Sequence, residues 1–162
     1  MKLKKAPKTN AMRYLEKHKV AHRELLYESD GFMDGVSIAK KLGQPMEKTF
    51  KTLVTVGKSR NHYVFVVPVA EELDLKKAAA AVGEKAVEMI HVKEITAVTG
   101  YVRGGCSPLG MKKQFPTVID QSALAHEEIM FSGGRLGAQI AMDPRLLTDL
   151  IGAEFRDIIV KG

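Results

Sequence analysis

The sequence predicts a mixed α/β fold, and three observations carry that expectation. Two runs rich in β-branched and aromatic residues, TFKTLVTV (49–56) and YVFVV (63–67), read as neighbouring strands joined across the short turn 58–61. Helical stretches interleave with the strands and end at Gly43, Gly83 and Gly152. Their alternation is irregular, whereas a doubly wound sheet needs strand and helix in strict succession. At 162 residues and 45% hydrophobic, the chain is expected to form one domain, 1–162, with a real core.

In chain order, residues 1–8 read as a flexible basic tail, and Thr9 or Asn10 caps a helix running to about Lys19. A strand over 21–27 and an acidic loop over 28–33 follow. Asp34 caps a short helix, 36–42, and a turn at 45–48 leads into the first β-branched run. Asp74 caps an alanine-rich helix to Val82; a short strand is expected over 86–90 and a short helix over 92–99. Further strands are expected over 117–120, 129–132 and 138–141. Asp143-Pro144 reads as a helix start, cap followed by proline, and 155–160 as a last strand.

Charge is unevenly spread over a net +6. Residues 1–23 carry eight Lys/Arg and one acid, 24–39 carry four acids and no Lys/Arg, and 40–60 carry six Lys/Arg and one acid. Two basic blocks framing an acidic one fit either a polyanionic partner, nucleic acid before membrane, or a solvated basic face. No apolar run approaches the roughly 20 residues of a membrane span. The basic N-terminus lacks the apolar region of a signal peptide. The lone Cys106 rules out an intramolecular disulfide and fits a reducing cytoplasm.

The stretch TGYVRGGCSPLGMKKQFP (99–116) holds four glycines and two prolines, too many for a helix interior. Such a loop lets the main chain approach a ligand and present its N–H groups as a nest. Lys51 is the other conspicuous residue, a cation inside an apolar strand. It either snorkels at a sheet edge or lines a pocket for a carbonyl, carboxylate or phosphate, and the pattern alone leaves both open. The five histidines are scattered, so no metal constellation is expected. The chain carries no Walker A loop or dinucleotide fingerprint, and no cofactor is expected.

Four motifs in order, FKTLV (50–54), PVAEELDLKK (68–77), GYVRGGCSPLGMKK (100–113) and FSGG (131–134), resemble the YbaK/EbsC-type Cys-tRNA(Pro) deacylases, relatives of the editing domain of prolyl-tRNA synthetases. The resemblance runs from about Met12 to Val160. It implies a strongly curved mixed sheet flanked by helices, and it makes Lys51 the pocket lysine. It places the glycine-x-x-x-proline loop on Gly104 to Pro108, with Gly104, Gly105, Cys106 and Ser107 at the reacting ester. Tyr27, Pro108, Ser132, Gly133 and Gln139 become substrate-binding positions. Some relatives have a carboxylate where this chain has Gln139, so no acid is assigned there. The implied reaction clears mischarged Cys-tRNA(Pro), and also Cys-tRNA(Cys), through attack of the substrate's own thiol. Cys106 is not expected to be the nucleophile, because no histidine lies near it in sequence. Lys4, Lys5, Lys8, Lys40, Lys41 and Lys48 become candidates for the tRNA backbone, and a prolyl-tRNA synthetase the implied partner. Editing of another amino acid such as alanine, or a non-catalytic tRNA-binding module, are the alternatives.

Overall fold

The computed structural model describes residues 7–29 and 31–161. Most of the expected tail, including Lys4 and Lys5, lies outside the described residues.

Helix α1 (Asn10–Lys17) begins where the Thr9 side chain accepts from the Met12 amide, and it buries Ala11, Met12 and Leu15. Strand β1 (Arg23–Leu26) is shorter than the expected 21–27. Asp34 caps α2 (Gly35–Leu42) by accepting from the Ser37 amide. Strands β2 (Phe50–Gly57) and β3 (His62–Pro68) form the expected antiparallel hairpin, with Phe50 opposite Pro68 and Val56 opposite His62. Helix α3 (Leu75–Val82), capped by Asp74, and β4 (Val87–Met89) follow. The helix expected over 92–99 divides into a 3₁₀ turn, Val92–Glu94, and α4 (Ile95–Thr99).

Strand β5 (Thr117–Asp120) is followed by a 3₁₀ turn at Gln121–Ala125 that the sequence reading leaves out. Strands β6 (Ile129–Ser132) and β7 (Ala138–Met142) pair antiparallel. Helix α5 (Leu146–Ile151) starts later than Asp143-Pro144, because Asp143 Oδ1 first accepts from the Arg145 amide in a preceding turn. The last expected strand shrinks to β8 (Glu154–Arg156); beyond it only Ile159 forms a bridge, to Leu73.

The expected mixed α/β architecture is present, with the strands divided between two sheets. One has the order β1-β7-β6, the other β4-β2-β3-β5-β8, with β3, β5 and β8 mutually parallel. They meet at one bridge, Thr49 to Met130. Strand β3 explains its apolar run: Val64 and Val66 enter the larger core with Phe131 and Ile140, while Tyr63, Phe65 and Val67 enter a second core with Ala78 and Ile158. Buried on both faces, it anchors β2, and β2 carries the site.

Candidate active site

Strand β2 is only half covered. Strand β4 pairs with it from Thr55 to Gly57, and the Ile90 amide adds a bond to the Val54 carbonyl. Among the described residues no strand pairs with residues 51–53 on that side, and β6 reaches β2 only at the Thr49–Met130 bridge. The Val69 amide donates to the Thr49 carbonyl, so odd-numbered residues of β2 bond to β3 and even-numbered ones turn their backbone groups outward. The N–H and C=O of Thr52 therefore face the open edge. The Thr52 hydroxyl is also buried and has no hydrogen-bond partner among the described residues.

A cavity of about 390 Å³ opens along this edge. It is walled by Phe50–Val54, the start of α2, the glycine-rich loop at Gly104 and Cys106, and Ser132 and Gln139 from the smaller sheet. Its volume lies at the small end of the roughly 300–1,000 Å³ range of ligand sites. Ser132 and Gln139 stand opposite each other in the β6–β7 register. Gln139 is 3% exposed, and its Oε1 has no partner among the described residues. Thr52 and Gln139, each with a buried side-chain oxygen unpartnered among the described residues, thus border one small cavity. Buried groups of this kind are costly unless something pairs with them.

Lys51 also lines the cavity and is half-buried. Desolvation lowers its pKa, and Glu72 and then Glu71 oppose that by favouring the ammonium. Cys106 reaches the cavity with its thiol pushed up to about 12 by burial, against a weaker opposing hydrogen bond with Thr99. It is a protonated wall, not a poised thiolate.

The glycine-rich loop is braced from inside. The Tyr101 hydroxyl donates to the Leu109 carbonyl at 2.6 Å, and the fully buried Ser107 accepts from the Leu109 amide. The Lys112 amide closes the loop onto the Thr99 carbonyl at 3.0 Å. Gly104 lines the cavity with φ +81, a conformation few side chains tolerate, and a Cβ there would stand 2.9 Å from the Phe32 ring. Gly105 plays a different part. Its amide donates to the Val102 carbonyl at 2.9 Å, so it is not free to bind an oxyanion. A Cβ on it would stand 2.9 Å from the Arg135 Cα. The amides of Gly104 and Cys106 have no backbone acceptor among the described residues.

The expected site residues therefore fall into groups. Lys51, Gly104, Cys106, Ser132 and Gln139 converge on the cavity; Gly105, Ser107, Pro108, Gly133 and Tyr27 do not line it. Gly133 ties the smaller sheet to α1, since its carbonyl accepts from the Thr9 hydroxyl. Tyr27 is 7% exposed, with its hydroxyl unpartnered among the described residues. Of the expected tRNA-facing lysines, Lys8 pairs with Glu16 and Lys41 donates to the Glu28 carbonyl at 2.7 Å, while Lys40 and Lys48 are exposed. Thr52 was missed, because a threonine in a strand is unremarkable until the open edge is known. Among the described residues no three His, Cys, Asp or Glu converge as a metal donor set.

A protein of Enterococcus faecalis named "Putative Cys-tRNA(Pro)/Cys-tRNA(Cys) deacylase EbsC" is 46% identical over 161 residues, 99% of this chain and 98% of that one. A solved "putative trans-editing enzyme for prolyl tRNA synthetase" is 26% identical with a TM-score of 0.80, covering 96% of this chain and 100% of that one. A solved hypothetical protein, 22% identical with a TM-score of 0.86 over 93% of this chain and 99% of that one, shares the fold. The family described as the aminoacyl-tRNA editing domain matches residues 33–150, and the chain belongs to that family.

Proposed function

We propose that this protein is a trans-acting deacylase that clears Cys-tRNA(Pro), and also Cys-tRNA(Cys), with the substrate's own thiol as nucleophile. The observation that carries the reading is the near-full-length likeness to the Enterococcus relative, whose name specifies those two substrates. Cysteine and proline are of similar size, and a pocket built for one rejects the other by only about 1–3 kcal/mol, which is why a second hydrolytic sieve is needed.

The cavity's chemistry favours a scaffold over a nucleophile donor. The thiol of Cys106, pushed up to about 12, is almost wholly protonated at neutral pH. In the proposed step the substrate cysteine's thiol loses its proton, and its sulfur adds to the carbonyl carbon of its own ester. The ester C–O bond then breaks, the ribose oxygen leaves with a proton, and a cysteine thiolactone remains. Tethering makes this attack intramolecular, with the high effective molarity that brings. The amides of Gly104 and Cys106, the two residues of the 104–107 loop that line the cavity, would serve the developing oxyanion. Lys51 would hold the ester carbonyl or the ribose oxygen. Thr52 and Gln139, with their unpartnered oxygens, would receive the substrate's α-ammonium. Lys8, Lys40, Lys41 and Lys48 would contact the tRNA backbone, where phosphate contacts position without specifying. The likeness to a trans-editing enzyme supports a prolyl-tRNA synthetase as partner and a cytoplasmic site of action.

The test is deacylation of one tRNA(Pro) preparation charged with cysteine, alanine or serine. Release of cysteine alone, with a thiolactone trapped from the reaction, is expected. Equal release of alanine would overturn the thiol mechanism.

A further inference from the structure

We infer that Phe32 and Arg103, at the mouth of the cavity, form the seat for the 3′-terminal adenine of the tRNA, with Arg103 also meeting the adjoining phosphate. The inference rests on the tRNA-editing reading of the cavity and adds to it a site for the nucleotide.

Phe32 lies in the loop between β1 and α2 and lines the cavity, yet it is 54% exposed. The Arg103 guanidinium stands 4.3 Å from its ring centroid. One face of the ring is thus occupied by a cation and one edge faces Gly104, while the rest meets water at the entrance of a ligand site. An exposed aromatic ring at the entrance of a ligand site is available for stacking. Single-stranded nucleic acid ends are held by stacking bases on aromatic rings and arginine planes.

Geometry argues for the base in this position. Phe32 and Arg103 belong to the cavity wall while Phe32 stays exposed, so a base stacked on that ring at the entrance leaves the cavity's about 390 Å³ to the ester and its amino acid. With the ester carbonyl at the Gly104 amide, the ribose emerges beside the residue that Gly104 touches, Phe32. No ion pair among the described residues involves Arg103, leaving N–H groups for a phosphate oxygen while its guanidinium stays over the ring. The glycine is then required twice, for its backbone conformation and for the room its missing Cβ leaves to the ring.

The test uses uncharged tRNA(Pro) whose terminal adenosine is replaced by 2-aminopurine riboside, a base whose fluorescence is quenched on stacking. Titration with the full chain is expected to quench the probe. Phe32→Leu is expected to abolish most of the quenching and to raise the KM for Cys-tRNA(Pro) about ten-fold with kcat little changed, whereas Phe32→Tyr retains both properties. Arg103→Gln is expected to weaken binding and reduce its salt dependence. Circular dichroism confirms folding of each variant, and Phe32, being exposed, is a mild site for replacement. Absence of quenching by the wild-type chain, or undiminished quenching by Phe32→Leu, overturns the inference. Failure of the wild-type chain to deacylate Cys-tRNA, with quenching intact, instead sinks the editing reading and leaves the adenine seat standing.

Discussion

Replacing Cys106 by alanine separates the protein's thiol from the substrate's. Cys106 lines the cavity beside Gly104, so an acyl-enzyme route is the natural rival mechanism. At pH 7.5 a thiol pushed up to about 12 is ionised to roughly three parts in 100,000, against about a tenth for an ordinary thiol near 8.5. The more basic sulfur is intrinsically the better nucleophile, by roughly 25- to 55-fold at a Brønsted slope of about 0.4–0.5. That recovers only part of a deficit of about 3,000-fold in thiolate, leaving the protein's sulfur roughly a hundred-fold behind. The substrate's sulfur is in addition tethered to its own carbonyl. Cys106→Ala is therefore expected to keep most of its turnover, measured as release of labelled cysteine from Cys-tRNA(Pro), while wild-type enzyme is inactive on the serine-charged tRNA. A Cys106→Ala protein that is folded by circular dichroism but more than ten-fold slower would refute the substrate-assisted mechanism.

Other expectations follow from the same geometry. Lys51→Ala should reduce deacylation at least ten-fold, about 1.4 kcal/mol of transition-state stabilisation, without unfolding the chain; near wild-type turnover would remove Lys51 from the chemistry. Gly105→Val should lower the thermal midpoint, because its Cβ would press on the Arg135 backbone, 2.9 Å from the Cα, at an overpacking cost of about 1–3 kcal/mol. An unchanged midpoint would show that the loop can move away. The Cys106 thiol also predicts an alkaline weakness. Its folded pKa is raised, so its stability contribution is complete below the unfolded value near 8.5 and is lost as pH rises towards about 12. Within that window wild type should lose about 1.4 kcal/mol per pH unit relative to Cys106→Ala, read from denaturant midpoints; parallel pH profiles would contradict the burial.

The amino-acid sequence alone determined the elements whose signals are local. Asp34 and Asp74 cap their helices through their own side chains, and the β2–β3 hairpin follows from two β-branched runs and a turn, since these features depend on neighbours a few residues away. The glycine-rich loop and Lys51 were conspicuous for the same reason: each violates the pattern around it. Tertiary structure decided which of the loop's residues face a ligand. Gly104 and Gly105 are adjacent and identical in sequence, yet one lines the cavity and the other spends its amide on Val102 and its bare Cα on Arg135, a residue 30 positions away. The division into two sheets, the open edge at Thr52 and the stacking of Arg103 on Phe32 were equally out of reach. Each arises where segments distant in the chain meet or fail to meet, and such pairing is set by packing over the whole core, not by the composition of any one segment.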